Sequence, residues 1–96
     1  MSILNTYHLA ATGYPDWVEG GVSAFEGQIR ARSILVSATA ATRVVFRDGD
    51  GTGIVKCVIE LGSRGTAHPR FSPDSIPFRN KCHITITGAA DVFVYG

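Results

Sequence analysis

A chain of 96 residues has room for one hydrophobic core, because small chains bury only about 60% of the surface they expose when unfolded. Nine Lys and Arg against eight Asp and Glu leave a formal charge of +1, too weak a field to gather nucleic acid or an anionic membrane. No apolar run approaches the roughly 18 residues of a membrane span, and the start Met1-Ser2-Ile3-Leu4-Asn5 carries no basic region before an apolar stretch, so neither export nor anchoring is expected. The charged fraction of 18% lies below ordinary globular usage and suits a surface that meets other protein.

From Met1 to about residue 22 the pattern is irregular: His8, Gly13, Tyr14-Pro15, Trp17 and Gly20-Gly21 interrupt any helical or strand period. An extended N-terminal arm or loop over residues 1–22 is the expectation. Its Tyr7, Tyr14 and Trp17 gain most from burial, on their own domain or on a neighbour. Ser23 to Ser37 alternates as a strand pair or one long bent strand, with Ile29 and Ala31 on one side and Gln28, Arg30 and Arg32 on the other. The adjacent Ile34, Leu35 and Val36 shift that register and predict a bulge or burial on both faces. After a small-residue turn, Thr42 to Asp48 is a strand with Val44 and Phe46 inward.

Asp48-Gly49-Asp50-Gly51-Thr52-Gly53 packs three glycines and two aspartates into a tight connection, the strongest hairpin turn in the chain. Ile54 to Leu61 follows, with Val55, Cys57, Ile59 and Leu61 on one face and Lys56, Val58 and Glu60 on the other, and pairs with the strand before it. Residues 62–79 hold Pro69, Pro73 and Pro77, which donate no ladder hydrogen bond, and read as a long loop. Cys82 to Thr87 and Asp91 to Tyr95, joined by Gly88-Ala89-Ala90, are expected to form a second hairpin whose last strand is apolar on both faces. The fold class expected is all-β: a single small β-sandwich, jelly-roll-like, occupying residues 23–96 behind the arm.

Constellations for chemistry are weak. Asp48 to Gly53 resembles the front of a calcium loop, but the twelfth place is Ile59 and not a bidentate Glu, so a hairpin turn is the better reading. His8, His68, Cys57, Cys82 and His83 show no zinc spacing, and the adjacent Cys82 and His83 point to opposite faces of a strand. Cys57 and Cys82 are read as buried and reduced, with a bridge open only if their strands are neighbours. No motif presents a Ser or Cys nucleophile to a His, so no catalytic residue, metal or cofactor is expected. Arg30, Arg32, Arg43 and Arg47, each pair spaced by two, form a solvated face, or a basic patch if their strands adjoin.

Residues 27–95 resemble the short β-sandwich structural proteins that accompany the major capsid protein in tailed bacteriophages and cyanophages. The resemblance lies in Ile34-Leu35-Val36-Ser37, in Val44-Val45-Phe46-Arg47-Asp48-Gly49, and in Cys82-His83-Ile84-Thr85-Ile86-Thr87-Gly88 followed by Asp91-Val92-Phe93-Val94-Tyr95. It implies a non-enzymatic capsid decoration or cement protein, made in the host cytoplasm and placed on the virion surface. Its partners would be the major capsid protein and further copies of itself as a dimer or trimer, with no nucleic acid and no membrane. The contact residues expected are Tyr14, Trp17, Phe25, Phe71, Ile76, Phe78, Phe93 and Tyr95. The competing expectation is a carbohydrate-binding or adhesion module of a phage tail or fibre, using Trp17, Tyr14 and Tyr95 as stacking platforms.

Overall fold

The computed structural model describes residues 5–71 and 75–96, and among these there is no helix. Ten strands follow in chain order: β1 (Thr6–Leu9), β2 (Asp16–Trp17), β3 (Ile29–Ala31), β4 (Ser33–Ala38), β5 (Thr42–Asp48), β6 (Ile54–Leu61), β7 (Gly65–Ala67), β8 (Ile76–Phe78), β9 (Cys82–Thr87) and β10 (Ala90–Tyr95). They build a five-stranded sheet in the order β2-β1-β10-β4-β7, a three-stranded sheet β6-β5-β9 and a two-stranded sheet β3-β8, every pairing antiparallel.

All three sheets turn alternate side chains into one buried cluster: Tyr7, Ile34, Val36, Val92 and Val94 from the first, Val44, Phe46, Ile59, Cys82 and Ile84 from the second, Ile29, Ala31 and Phe78 from the third. This layered, all-β arrangement is consistent with a small β-sandwich. The period-2 pattern read in Thr42–Asp48 and Ile54–Leu61 is the pattern that buries Val44, Phe46 and Ile59. The two strands join through the expected turn. There Asp50 Oδ1 accepts from the backbone and hydroxyl of Thr52 (2.9 and 2.7 Å), and any side chain at Gly53 would run into the Asp48 carbonyl.

Several elements differ from the sequence expectation. Thr6–Leu9 is not an arm but a strand beside β10, with Tyr7 in the core and the Asn5 and Gly96 backbones hydrogen-bonded at 3.1 and 2.7 Å. Residues 62–79 are not one loop: they supply β7 to an edge and β8 to the partner of β3, where Pro77 sits opposite Arg30 in a two-stranded sheet that leaves its missing N–H without consequence. Pro73 lies outside the described residues. The Ser23–Ser37 stretch divides at Arg32 into β3 and β4, which belong to different sheets, and both Ile34 and Val36 are fully buried.

The largest correction concerns the end of the chain. β9 and β10 do not form a hairpin: β9 pairs with β5, whereas β10 lies between β1 and β4 in the five-stranded sheet. The turn at Gly88 carries the chain from one sheet to the other. Gly88 adopts φ 121°, and a side chain there would strike Ala41 and Thr42, whose hydroxyl accepts from Ala89 N–H at 3.3 Å. An ordinary hairpin turn keeps both strands in one sheet; the crossover satisfies the apolar faces of both.

Candidate interaction surface

The edges of the sheets decide what this molecule can offer a partner, because an edge strand carries unpaired backbone groups. One edge of the three-stranded sheet is covered. Gly13 exchanges two 2.9 Å backbone hydrogen bonds with Ile84, and Thr12 Oγ1 accepts from Ile86 N–H at 3.0 Å, so the segment after β1 closes over β9. The other edge is β6, the longest of the described strands, and among the described residues it pairs with β5 alone. Its side chains include Ile54, Val55 and Val58, exposed to 72%, 48% and 43%.

The hydrophobic face of β6 is therefore only partly enclosed. Ile59 is buried and Cys57 half-buried, but the bulge at Lys56 breaks the expected alternation and turns Val55 away from this face, opposite Arg47, where it opens to solvent. On the opposite face Val58 lies beside the buried Val45, flanked by Glu60, whose Oε1 meets Arg43 Nε at 3.2 Å. Three large aliphatic side chains along one free edge form an apolar strip that water solvates poorly.

A second surface surrounds the aromatic residues expected as contacts. Trp17 and Phe25 pack on the buried Tyr7, with ring centroids 6.4 and 5.4 Å away and 5.5 Å from each other. Burial, and next Glu19, hold the Tyr7 hydroxyl above its ordinary range. Beside this cluster Val18 and Val22 stand exposed on the short turn that follows β2. Tyr14 meets the edge of His83 at 5.3 Å and lies under the Lys81 ammonium at 5.5 Å, which in turn contacts Glu26 at 2.9 Å. Glu26 raises the Lys81 pKa, so this cation stays charged.

Phe93 and Tyr95 lie on the outer face of β10, half-buried against His8 (4.6 Å) and His68 (6.1 Å). Phe71 and Ile76 are half-buried at the margin of the core. Phe78 is different: it is fully enclosed, so it offers no area to a partner while the chain is folded. The structure thus brings Tyr14, Trp17 and Phe25 to one end and Phe93 and Tyr95 to one sheet face. The sequence reading named no residue of β6 as a contact, although its signal was present, since Ile54, Val55 and Val58 bring apolar groups together beside a protruding turn.

Other chemistry is sparse. The four arginines do not make one patch, because β3 pairs with β8 while β5 pairs with β6 and β9. Arg43 meets Glu60, Arg47 donates to Thr85 Oγ1 and Arg30 to Ser75 Oγ. Cys57 and Cys82 are both free, on strands separated by β5. Burial, and next Asp48, push the Cys82 thiol up to about 12, a value that leaves no thiolate for nucleophilic work near neutral pH. Among the described residues no three His, Cys, Asp or Glu side chains converge to hold a metal. A polar hollow of about 410 Å³ lies between Gln28–Arg30 and Pro77–Arg79. Comparison with protein-family models, curated proteins and solved structures finds no match for this chain.

Proposed function

We propose that this protein is a non-enzymatic structural component of a phage virion, a decoration or cement protein that binds the assembled capsid and stabilises it. The observation that carries the reading is the apolar strip Ile54, Val55 and Val58 along the free edge of β6, on a molecule whose surface is otherwise poor in charge. Such a strip is stabilised when a neighbouring chain covers it, through apolar burial and main-chain hydrogen bonds together. On this reading the sandwich is jelly-roll-like. The segment around Tyr14, Trp17 and Phe25 and the described parts of residues 62–79 reach the major capsid protein, while further copies of the chain complete the assembly on the virion surface.

The partly covered Phe71, Ile76, Phe93 and Tyr95 add contact area, and a true anchor among them is expected to contribute about 2 kcal/mol or more to binding. Glycan recognition is the weaker reading, because the ring of Trp17 is already stacked on Tyr7 and in edge contact with Phe25, and is only partly exposed.

The test is cosedimentation of the purified protein with phage heads that lack it. Saturable binding in a fixed ratio to the major capsid protein is expected, weakened by Trp17→Ala or Tyr95→Ala. Heads that pellet without the protein, at concentrations where it is folded, remove the cement reading; quenching of Trp17 fluorescence by a glycan array would then point to the adhesion module.

A further inference from the structure

The edge strand β6 is self-complementary in one antiparallel register. Centred on Val58, that register sets Val58 against Val58 of the second copy, Cys57 against Ile59 and Lys56 against Glu60. Directly opposite residues of an antiparallel pair share a face, so each of these contacts joins like with like or charge with countercharge. Moving the register by two residues sets Lys56 against Val58 or Gly62 and Glu60 against Ile54 or Val58. Moving it by four sets Lys56 against Lys56, or Glu60 against Glu60. Lysine on an edge strand ordinarily prevents pairing; here Glu60 stands at the position that answers it.

We propose that two copies of this chain join β6 to β6, antiparallel, about a two-fold axis at Val58, turning two three-stranded sheets into one of six strands. The rows already set by β5 continue across the junction. On the outer face Arg43 and Glu60, 3.2 Å apart, are extended by Lys56 of the second copy, so that one carboxylate stands between two cations. Val45 and Val58 are extended by Val58 and Val45 of the second copy, covering the exposed Val58. On the inner face Phe46 and Cys57 continue into Ile59 and Val44 of the second copy, which covers the half-buried thiol. The bulge of the β5–β6 pairing falls at Lys56, which stands between Cys57 and Val55 without a partner on β5, so the regular part of the junction runs from Cys57 to Ile59 and Lys56 meets Glu60 at its end.

The inference deepens the homo-oligomer part of the proposed function, yet it is measured on the free protein, so the two readings fail separately. A dimer that ignores phage heads keeps the inference and removes the cement reading; a monomer that binds heads does the reverse. Sedimentation equilibrium on the wild type is expected to give a dimer, and Val58→Lys, which sets two ammonium groups face to face, is expected to raise the dissociation constant about tenfold or more. Register is read by oxidative cross-linking in a Cys57→Ser background that retains the buried Cys82. Val58→Cys should bridge to itself, while Lys56→Cys and Glu60→Cys should bridge when mixed and not alone. The cross-linking also decides the case should Val58→Lys fail to fold. A monomeric wild type, an unchanged dimer in Val58→Lys, or a Val58→Cys that does not bridge overturns the proposal.

Discussion

His83 and Cys82 are adjacent on β9 and live in opposite surroundings. The Cys82 thiol is inside the core, whereas His83 lies on the other face against Tyr14, its Nδ1 enclosed without a hydrogen-bond partner among the described residues. An enclosed polar atom with no partner costs about 1 kcal/mol or more, so His83→Phe, which keeps the ring contact and removes the orphaned nitrogen, should raise the melting temperature by about 4–8 °C in a calorimetric scan. Cys82 sets an alkaline limit. Its folded pKa, about 12, stands above the ordinary value of 9.0, so the folded state retains a proton that the unfolded state releases. Its contribution is complete below pH 9.0 and is lost as pH rises toward 12, which denaturant melts across that window will read. Asp48 and Asp50 titrate the other way: hydrogen bonds from Asn80 and Thr52 hold both carboxyls low, so stability present above their ordinary value of 3.8 falls as they are protonated. At neutral pH a thiol reagent should label Cys57 slowly and Cys82 only on unfolding.

At the scale of elements, the crossover after β9 is the joint on which the two larger sheets depend. Gly88→Ala asks a non-glycine residue to hold φ 121° while its methyl strikes Ala41 and Thr42, and a loss of more than about 1 kcal/mol in urea melts is expected. Phe78→Ala should cost about 3–5 kcal/mol, because β8 contributes its one fully buried large side chain to the core through that ring. The hairpin of β5 and β6 was legible in the sequence because both its determinants are local, a period-2 pattern and a glycine-rich turn. The destination of β10 was not. Val92 and Val94 announce a strand with a buried face, but nothing in their neighbourhood distinguishes a return to β9 from insertion between β1 and β4. The same limit explains the short strands β1, β7 and β8, whose pattern becomes a strand only when a distant partner supplies the hydrogen bonds. For the contact surface, aromatics drew attention on chemical type, yet type does not fix depth: Phe78 went to the core, while the plainer Val58 stayed outside.

For the molecule as a whole, the consequential feature is that its closing strand is central. β10 holds β1 on one side and β4 on the other, and the backbones of Asn5 and Gly96 are hydrogen-bonded together. Removing residues 1–9 should therefore abolish cooperative unfolding, as seen in a thermal melt, because it takes Tyr7 from the core and strips one edge of β10. Refolding from denaturant should be slow for so short a chain, in milliseconds to seconds, since its sheets join segments far apart in sequence. Protein synthesis meets the same constraint in another form. While the ribosome still shelters the segment after Ala90, β1 and β4 have no strand to lie between them, and the inner faces of both remain uncovered. A nascent chain stalled at that point should be cut by protease throughout, and one extended until Tyr95 clears the exit tunnel should resist. Until β10 emerges, then, the five-stranded sheet exists in no partly built form that could assemble early.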